Sequence, residues 1–121
     1  MTRILVVDDE KESCCLLEEF LRSKGYEVFW TLSSQEAIRL VKQERPHLVL
    51  LDIRMPEQDG VSLLAEIKKI DRETAVIMVT AVKEEETAKE AMKRGANGYI
   101  TKPIDLEYLE RNILVSRILQ K

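Results

Sequence analysis

Five polar side chains stand at the ends of apolar runs, and their types together define one kind of chemistry. Asp8 and Asp9 follow Ile4-Leu5-Val6-Val7, and Asp52 follows Leu48-Val49-Leu50-Leu51. Thr80 follows Ala75-Val76-Ile77-Met78-Val79, and Lys102 follows Gly98-Tyr99-Ile100-Thr101. Three carboxylates crowded together repel and raise one another's pKa unless a cation sits among them. Oxygen ligands with water completing an octahedron suit Mg²⁺, and Lys102 can then neutralise a bound anion as a point charge. A hydroxyl, a lysine, a hard cation and a carboxylate nucleophile are the components of phosphoryl transfer onto an aspartate.

These residues can act together only if the surrounding elements bring them to one place. The uninterrupted apolar run before Asp52 reads as a strand buried on both faces, because a one-sided strand would alternate with polar residues. An aspartate at the C-terminal end of a buried parallel strand lies in the crevice where open α/β sheets bind ligands. Met55-Pro56 ends this stretch, since proline cannot donate to a strand ladder.

Between the strands the period changes to that of helices. The first helix runs to about Lys24 with Leu16, Leu17, Phe20 and Leu21 on one face, and Gly25 supplies its stop. Tyr26 to Thr31 alternates, with Tyr26, Val28 and Trp30 on one side, as an edge strand does. Ser33 and Glu36 have capping-box spacing ahead of a helix carrying Ala37, Ile38 and Val41, which Pro46 closes off. Asp59-Gly60 is a turn that also caps a third helix, with Leu63, Leu64, Ile67 and Ile70 inward. The fourth helix, Glu84 to Arg94, has only Ala88, Ala91 and Met92 as its apolar stripe, so its docking is expected to be weak. Its acidic first turn suits the positive end of the helix dipole, and Gly95 ends it. Asp105 can cap a fifth helix with Leu106, Leu109 and Ile113 inward. In its last turns Leu114, Val115, Ile118 and Leu119 extend the apolar surface beyond what one sheet face needs, enough to cover a partner or lead into a linker.

Strand and helix thus alternate in five βα units, which implies a doubly wound parallel α/β sandwich. No Gly-x-Gly-x-x-Gly follows a strand and no P-loop motif occurs, which removes the main support for dinucleotide or nucleoside triphosphate binding. At 121 residues, 34% charged and 45% hydrophobic, the chain fits one domain, residues 1–121. No apolar run approaches the roughly 18 residues of a membrane helix, and the opening strand leaves no room for a signal peptide, so the expected location is cytoplasmic. A net charge of −3 and a pI near 5.3 argue against nucleic-acid binding by this domain. Adjacent Cys14 and Cys15 point in different directions on a helix and read as small apolar residues, with a redox role as the alternative. His47 reads as a solvated loop residue, Trp30 as packing or partner contact, and Val82 as an uncharged neighbour of Thr80.

The strings VVDDE at Val6 to Glu10, LLDIRMP at Leu50 to Pro56, Thr80-Ala81, and GYITKP at Gly98 to Pro103 resemble the receiver domain of bacterial two-component response regulators. The resemblance spans essentially the whole chain, in the family's order and spacing. It implies a flavodoxin-like (βα)5 fold with strand order 2-1-3-4-5. Asp52 would be the phosphoacceptor, supplied by a sensor histidine kinase, a phosphotransfer protein or a small phosphodonor. Asp9, Asp52 and the backbone carbonyl of Arg54 would bind Mg²⁺, with Asp8 acting through water. Lys102 would pair with a phosphoryl oxygen, and Lys102-Pro103 would be a cis peptide. Thr80 would bond another phosphoryl oxygen, Tyr99 would rotate inward with it, and small Ala81 would leave the phosphoryl group room. The domain would catalyse only its own phosphorylation and dephosphorylation. The face of helix four, strand five and helix five would control an effector domain or partner and could form a homodimer. Asn97, however, stands where winged-helix regulators of this family carry an aspartate of their dimer network.

Two other function classes are compatible with parts of this pattern. A Mg²⁺-dependent phosphohydrolase would need a second aspartate where Arg54 stands. A constitutive interaction module would not need every one of these anchors. Taken singly, Asp8 is an ordinary turn residue, Tyr99 an ordinary packed aromatic and Arg54 a rim residue suited to a surface ion pair or to controlling water access. The domain is either stand-alone or part of a longer regulator.

Overall fold

The computed structural model describes residues 1–55 and 57–120, without the side chain of Val82. The readings of Pro56 as a strand terminator and of Val82 as an uncharged neighbour of Thr80 lie outside the described residues. Five strands and five helices alternate: β1 Arg3–Val7, α1 Lys11–Ser23, β2 Glu27–Thr31, α2 Ser34–Glu44, β3 Leu48–Asp52, α3 Gly60–Ile70, β4 Ala75–Thr80, α4 Glu85–Lys93, β5 Gly98–Thr101 and α5 Leu106–Leu119. A 3₁₀ turn, Val82–Glu84, leads into α4. All neighbouring strands are parallel, in the order β2-β1-β3-β4-β5.

Burial on both faces explains the unbroken apolar runs. Leu5, Val7, Val49, Leu51, Val76 and Met78 pack toward α2, α3 and α4, against Val41, Leu63, Leu64, Ile67, Ala88 and Ala91. Their alternates Ile4, Val6, Leu48, Leu50, Ile77 and Val79 pack toward α1 and α5, against Leu17, Leu21, Leu109 and Ile113. Successive residues of a strand point to opposite faces, so the covered positions of β1, β3 and β4 are apolar, and the polar residues Arg3, Asp52 and Thr80 fall at the strand ends. β2 is an edge strand, and Trp30 is half-buried on the α1/α5 side. The caps hold as well: the Asp59 carboxylate accepts from the Ser62 N–H at 2.9 Å, and Asp105 accepts from the Glu107 and Tyr108 N–H groups. Gly25 and Gly95, with φ of +90° and +109°, occupy the left-handed conformation that follows α1 and α4.

Four local expectations are corrected. Leu16 is 59% exposed, because the inward seam of α1 runs through Cys14, Leu17 and Leu21 at helical spacing and Leu16 falls off it. Met92 likewise faces outward, leaving α4 to bury only Ala88 and Ala91. Only half of the capping box forms: the Ser33 hydroxyl accepts from the Glu36 N–H, while the Glu36 carboxylate pairs with Arg39 and the Ser33 N–H donates to the Thr31 hydroxyl. His47 is half-buried instead of solvated; its Nδ1 accepts from the Arg3 N–H at 2.9 Å, and its backbone bridges Arg3 and Ala75. The outer face of α5 is exposed at Leu114, Val115, Ile118 and Leu119, as its composition implied.

Candidate functional site

The strand register brings the acidic residues side by side. Val7 lies opposite Leu51, so Asp8 and Asp52 leave the sheet as neighbours, and Thr80 is in register with Thr101, next to Lys102. Each aspartate is oriented by the chain just beyond it. Asp8 Oδ1 accepts from the Glu10 N–H and Asp52 Oδ1 from the Arg54 N–H, both at 2.9 Å. This is the Asx turn, in which a short carboxylate satisfies a backbone donor two residues on.

The second oxygens converge on one ammonium. Lys102 Nζ donates to Asp52 Oδ2 at 3.1 Å, Asp8 Oδ2 at 3.3 Å and Glu10 Oε1 at 3.4 Å. Lys102 is aimed there by its own backbone, whose N–H donates to the Thr80 carbonyl at 2.7 Å, and it precedes a cis peptide to Pro103. Burial opposes the ammonium charge, but the charges of Asp52 and Asp8 outweigh it and hold the Lys102 pKa above its ordinary value. Burial raises the Asp8 pKa, against the Glu10 N–H and the Lys102 charge that favour its ionised form.

These groups line or underlie an open cavity of about 470 Å³, walled by Asp9, Asp52, Arg54, Thr80, Ala81 and Lys102 with Glu10, Ile53 and Glu84. Asp8 lies beneath it, almost fully buried. The Thr80 hydroxyl donates to the Ala81 carbonyl at 3.0 Å, and the Glu84 N–H donates to the same carbonyl at 2.8 Å. Tyr99 is half-buried on the α2/α3/α4 side and is not among the residues lining the cavity. Cys14, whose thiol reaches the Asp8 carbonyl, is pushed up to about 12 by burial and is held as a thiol, whereas Cys15 is exposed; both are free.

Carboxylate oxygens of Asp8, Asp9 and Glu10 lie within 4.8 Å of one another. Hard oxygen donors around a buried carboxylate that already draws in a cation fit Mg²⁺. Sequence reasoning missed Glu10 as a site residue, although the third acid of the VVDDE string was its signal. It also missed that Arg54 pairs with Glu84, Nε to Oε1 at 2.5 Å; no local pattern links positions so far apart.

A further constraint comes from Gly60 at the start of α3. A Cβ there would lie 2.7 Å from the Ile53 Cα and 2.8 Å from the Asp52 carbonyl oxygen. The absence of a side chain lets α3 begin directly against the backbone that carries Asp52.

The family described as "Response regulator receiver domain" matches residues 4–114. The chain is 41% identical over 120 residues to Regulatory protein AtoC of Escherichia coli K12, covering 99% of this chain and 26% of that one. It is 37% identical over 105 residues to Sporulation initiation phosphotransferase F of Bacillus subtilis, covering 87% of this chain and 85% of the relative. Among solved structures, a receiver domain protein from Clostridium thermocellum superposes with a TM-score of 0.92 at 34% identity, covering 96% and 94% of the two chains. NtrX from Brucella abortus gives 0.89 at 35% identity, covering 98% of this chain and 28% of that one. The chain spans about a quarter of the length of AtoC and the ZraR proteins it also matches. With sheet order, relatives of similar length and the family match all in agreement, the chain belongs to the response regulator receiver domains of two-component systems.

Proposed function

We propose that this domain is a phosphorylation-dependent switch in which Asp52 accepts a phosphoryl group. The observation that carries this is the convergence of Asp52 and Asp8 on Lys102 at the floor of an open cavity. An oxygen of the Asp52 carboxylate attacks phosphorus; the bond from phosphorus to the donor's nitrogen or oxygen breaks, and the donor leaves with that electron pair. The donor is the phosphohistidine of a sensor histidine kinase or phosphotransfer protein, or a small acyl phosphate. Reversal by water returns Asp52 and inorganic phosphate, so the domain acts on itself alone.

Asp9, Asp52 and the carbonyl of Arg54 would hold Mg²⁺, with Asp8 through water. The ion supplies charge neutralisation for the transferring group. Lys102 binds a phosphoryl oxygen, and Thr80 turns its hydroxyl from the Ala81 carbonyl to another, with Ala81 small enough to leave space. Tyr99 then rotates inward.

The energies match a switch. Phosphorylation adds about −1.5 to −2 charges, and hydrogen bonds to charged groups contribute roughly 1.5–3 kcal/mol each. Inverting a 1:99 equilibrium takes about 5.5 kcal/mol, within reach of two such bonds. α4, held by two alanines, is the element they would move. Its face with β5 and α5 then regulates an effector domain or partner, or pairs two copies. The Asn97 side chain is engaged internally, with Val76 and Lys68, which disfavours the winged-helix type of dimer.

The deciding experiment is intact mass after incubation with Mg²⁺ and acetyl phosphate, with Asp52→Asn alongside and size-exclusion in parallel. A Mg²⁺-dependent adduct lost in the variant supports the reading. No adduct, and no binding of beryllofluoride, would move the function to a constitutive interaction module.

A further inference from the structure

The Arg54–Glu84 ion pair stands between two cavities. On one side is the cavity that holds Asp52 and Lys102. On the other is a space of about 500 Å³ reached by Met55, Asp59 and Thr87. Arg54 and Glu84 line both, together with Asp9 and Ile53, so the ion pair forms part of the wall that the two cavities share.

The two partners differ in freedom. The Glu84 side chain is only 15% exposed and closes the 3₁₀ turn at the N-cap position of α4. The Arg54 side chain is 68% exposed, two residues after Asp52. The carboxylate is fixed and the guanidinium is the movable half. Among the described residues, Arg54 and Lys102 are the cations lining the Asp52 cavity, and Lys102 is already shared among three carboxylates.

We infer that Arg54 is the relay between the phosphoacceptor and α4: its guanidinium passes from Glu84 to the phosphoryl group on Asp52. This rests on the reading of Asp52 as phosphoacceptor. A phosphoryl group carries more charge than a carboxylate and matches the guanidinium fork with two oxygens. The exposed Arg54 side chain can change partners without itself leaving a buried position. Once Arg54 has left, Glu84 is a mostly buried carboxylate without its partner, beside a dianion. Repulsion then drives it outward with the 3₁₀ turn and the first turn of α4, a helix whose buried residues are Ala88 and Ala91. Arg54 is thus a positioning residue for the switch.

The test uses the full chain with Mg²⁺ and beryllofluoride, following bound fluoride by ¹⁹F NMR and amide exchange over residues 82–93 by mass spectrometry. In the parent, the mimic speeds exchange in this segment by about threefold or more. Arg54→Ala, in which Glu84 has lost its partner from the outset, exchanges fast before the mimic is added and gains no further acceleration from it, and Arg54→Lys recovers part of the parent's response. Glu84→Gln exchanges fast before any mimic is added. A parent-like acceleration in Arg54→Ala, or parent-like exchange in mimic-free Glu84→Gln, overturns the relay. Should Arg54→Ala not take up the mimic, mimic-free Glu84→Gln decides alone. A parent that binds no beryllofluoride overturns the phosphoacceptor reading itself, and the relay with it.

Discussion

Asp8 and Asp52 hold Lys102 in the same way from neighbouring strands. In each, Oδ1 accepts a backbone N–H two residues on, and Oδ2 faces the Lys102 ammonium, at 3.3 and 3.1 Å. The repeated Asx turn fixes both side-chain rotamers, so the lysine sits at a point set by the sheet register. Two acids and one base are thereby preorganised before any ligand arrives, which lowers the reorganisation required when a cation and a phosphoryl group enter.

Lys102 is the internal counter-ion of this pair, and its removal should be repaired by a metal. Lys102→Met leaves the mostly buried acids facing one another and is expected to cost about 1–3 kcal/mol in the absence of divalent ions. Saturating Mg²⁺ should restore most of that loss, since a ligand that binds only the folded state stabilises it. Urea unfolding with and without Mg²⁺ checks this; an equal deficit in both would mean that the ion does not share the lysine's site.

Asp8→Asn keeps the shape and the acceptor for the Glu10 N–H but deletes the charge beneath the cavity. Mg²⁺ affinity is expected to fall by about tenfold or more, as when an outer partner of a metal is lost. Because burial raises the Asp8 pKa, the uncharged residue should leave thermal stability unchanged or increased. Calorimetric Mg²⁺ titration and a melting curve separate the two effects.

Gly60→Ala would set a methyl group against the Ile53 Cα and the Asp52 carbonyl, and backbone atoms cannot swing aside as a flexible side chain does. The expected destabilisation is about 1–3 kcal/mol. Phosphorylation by acetyl phosphate should slow as well, because the atoms displaced are those that carry Asp52. Normal kinetics in a destabilised variant would show that α3 yields instead of the strand end.

His47 makes stability depend on pH on the acid side of neutrality. Burial, then the charges of Arg117, Arg3 and the N-terminal amine, lower its pKa from the ordinary 6.5, so the folded state disfavours the imidazolium. The unfolded chain therefore binds the proton first. Stability is undiminished above about 6.5 and declines as pH falls below it, levelling off beneath the folded-state value. His47→Asn, whose Oδ1 can take over the Nδ1 bond to the Arg3 N–H, should flatten the profile between pH 5 and 7 in denaturant titrations; an unchanged slope would assign it to other groups.

Most of the architecture was legible in the chain because it rests on local periodicity. Unbroken apolar runs at β1, β3 and β4 could only be strands covered on both faces, and the capping roles of Asp59 and Asp105 required nothing beyond neighbouring residues. The site anchors were legible for the same reason: each follows a strand, and parallel strands deliver their ends to one edge. Where the periodicity was ambiguous, at Leu16 and Met92, only the direction of the helix axis across the sheet decided which residue went inside. His47 shows a different limit, since its partner Arg3 lies 44 positions away and its burial follows from strand pairing. Arg54 and Glu84 are the strongest case. Each reads alone as a surface charge, and their contact exists because β3 and β4 are adjacent in the sheet. The amino-acid sequence determined which groups reach the edge of the sheet. Tertiary structure alone decided which of them share a partner, because a charge pair depends on distances between segments that no local pattern encodes.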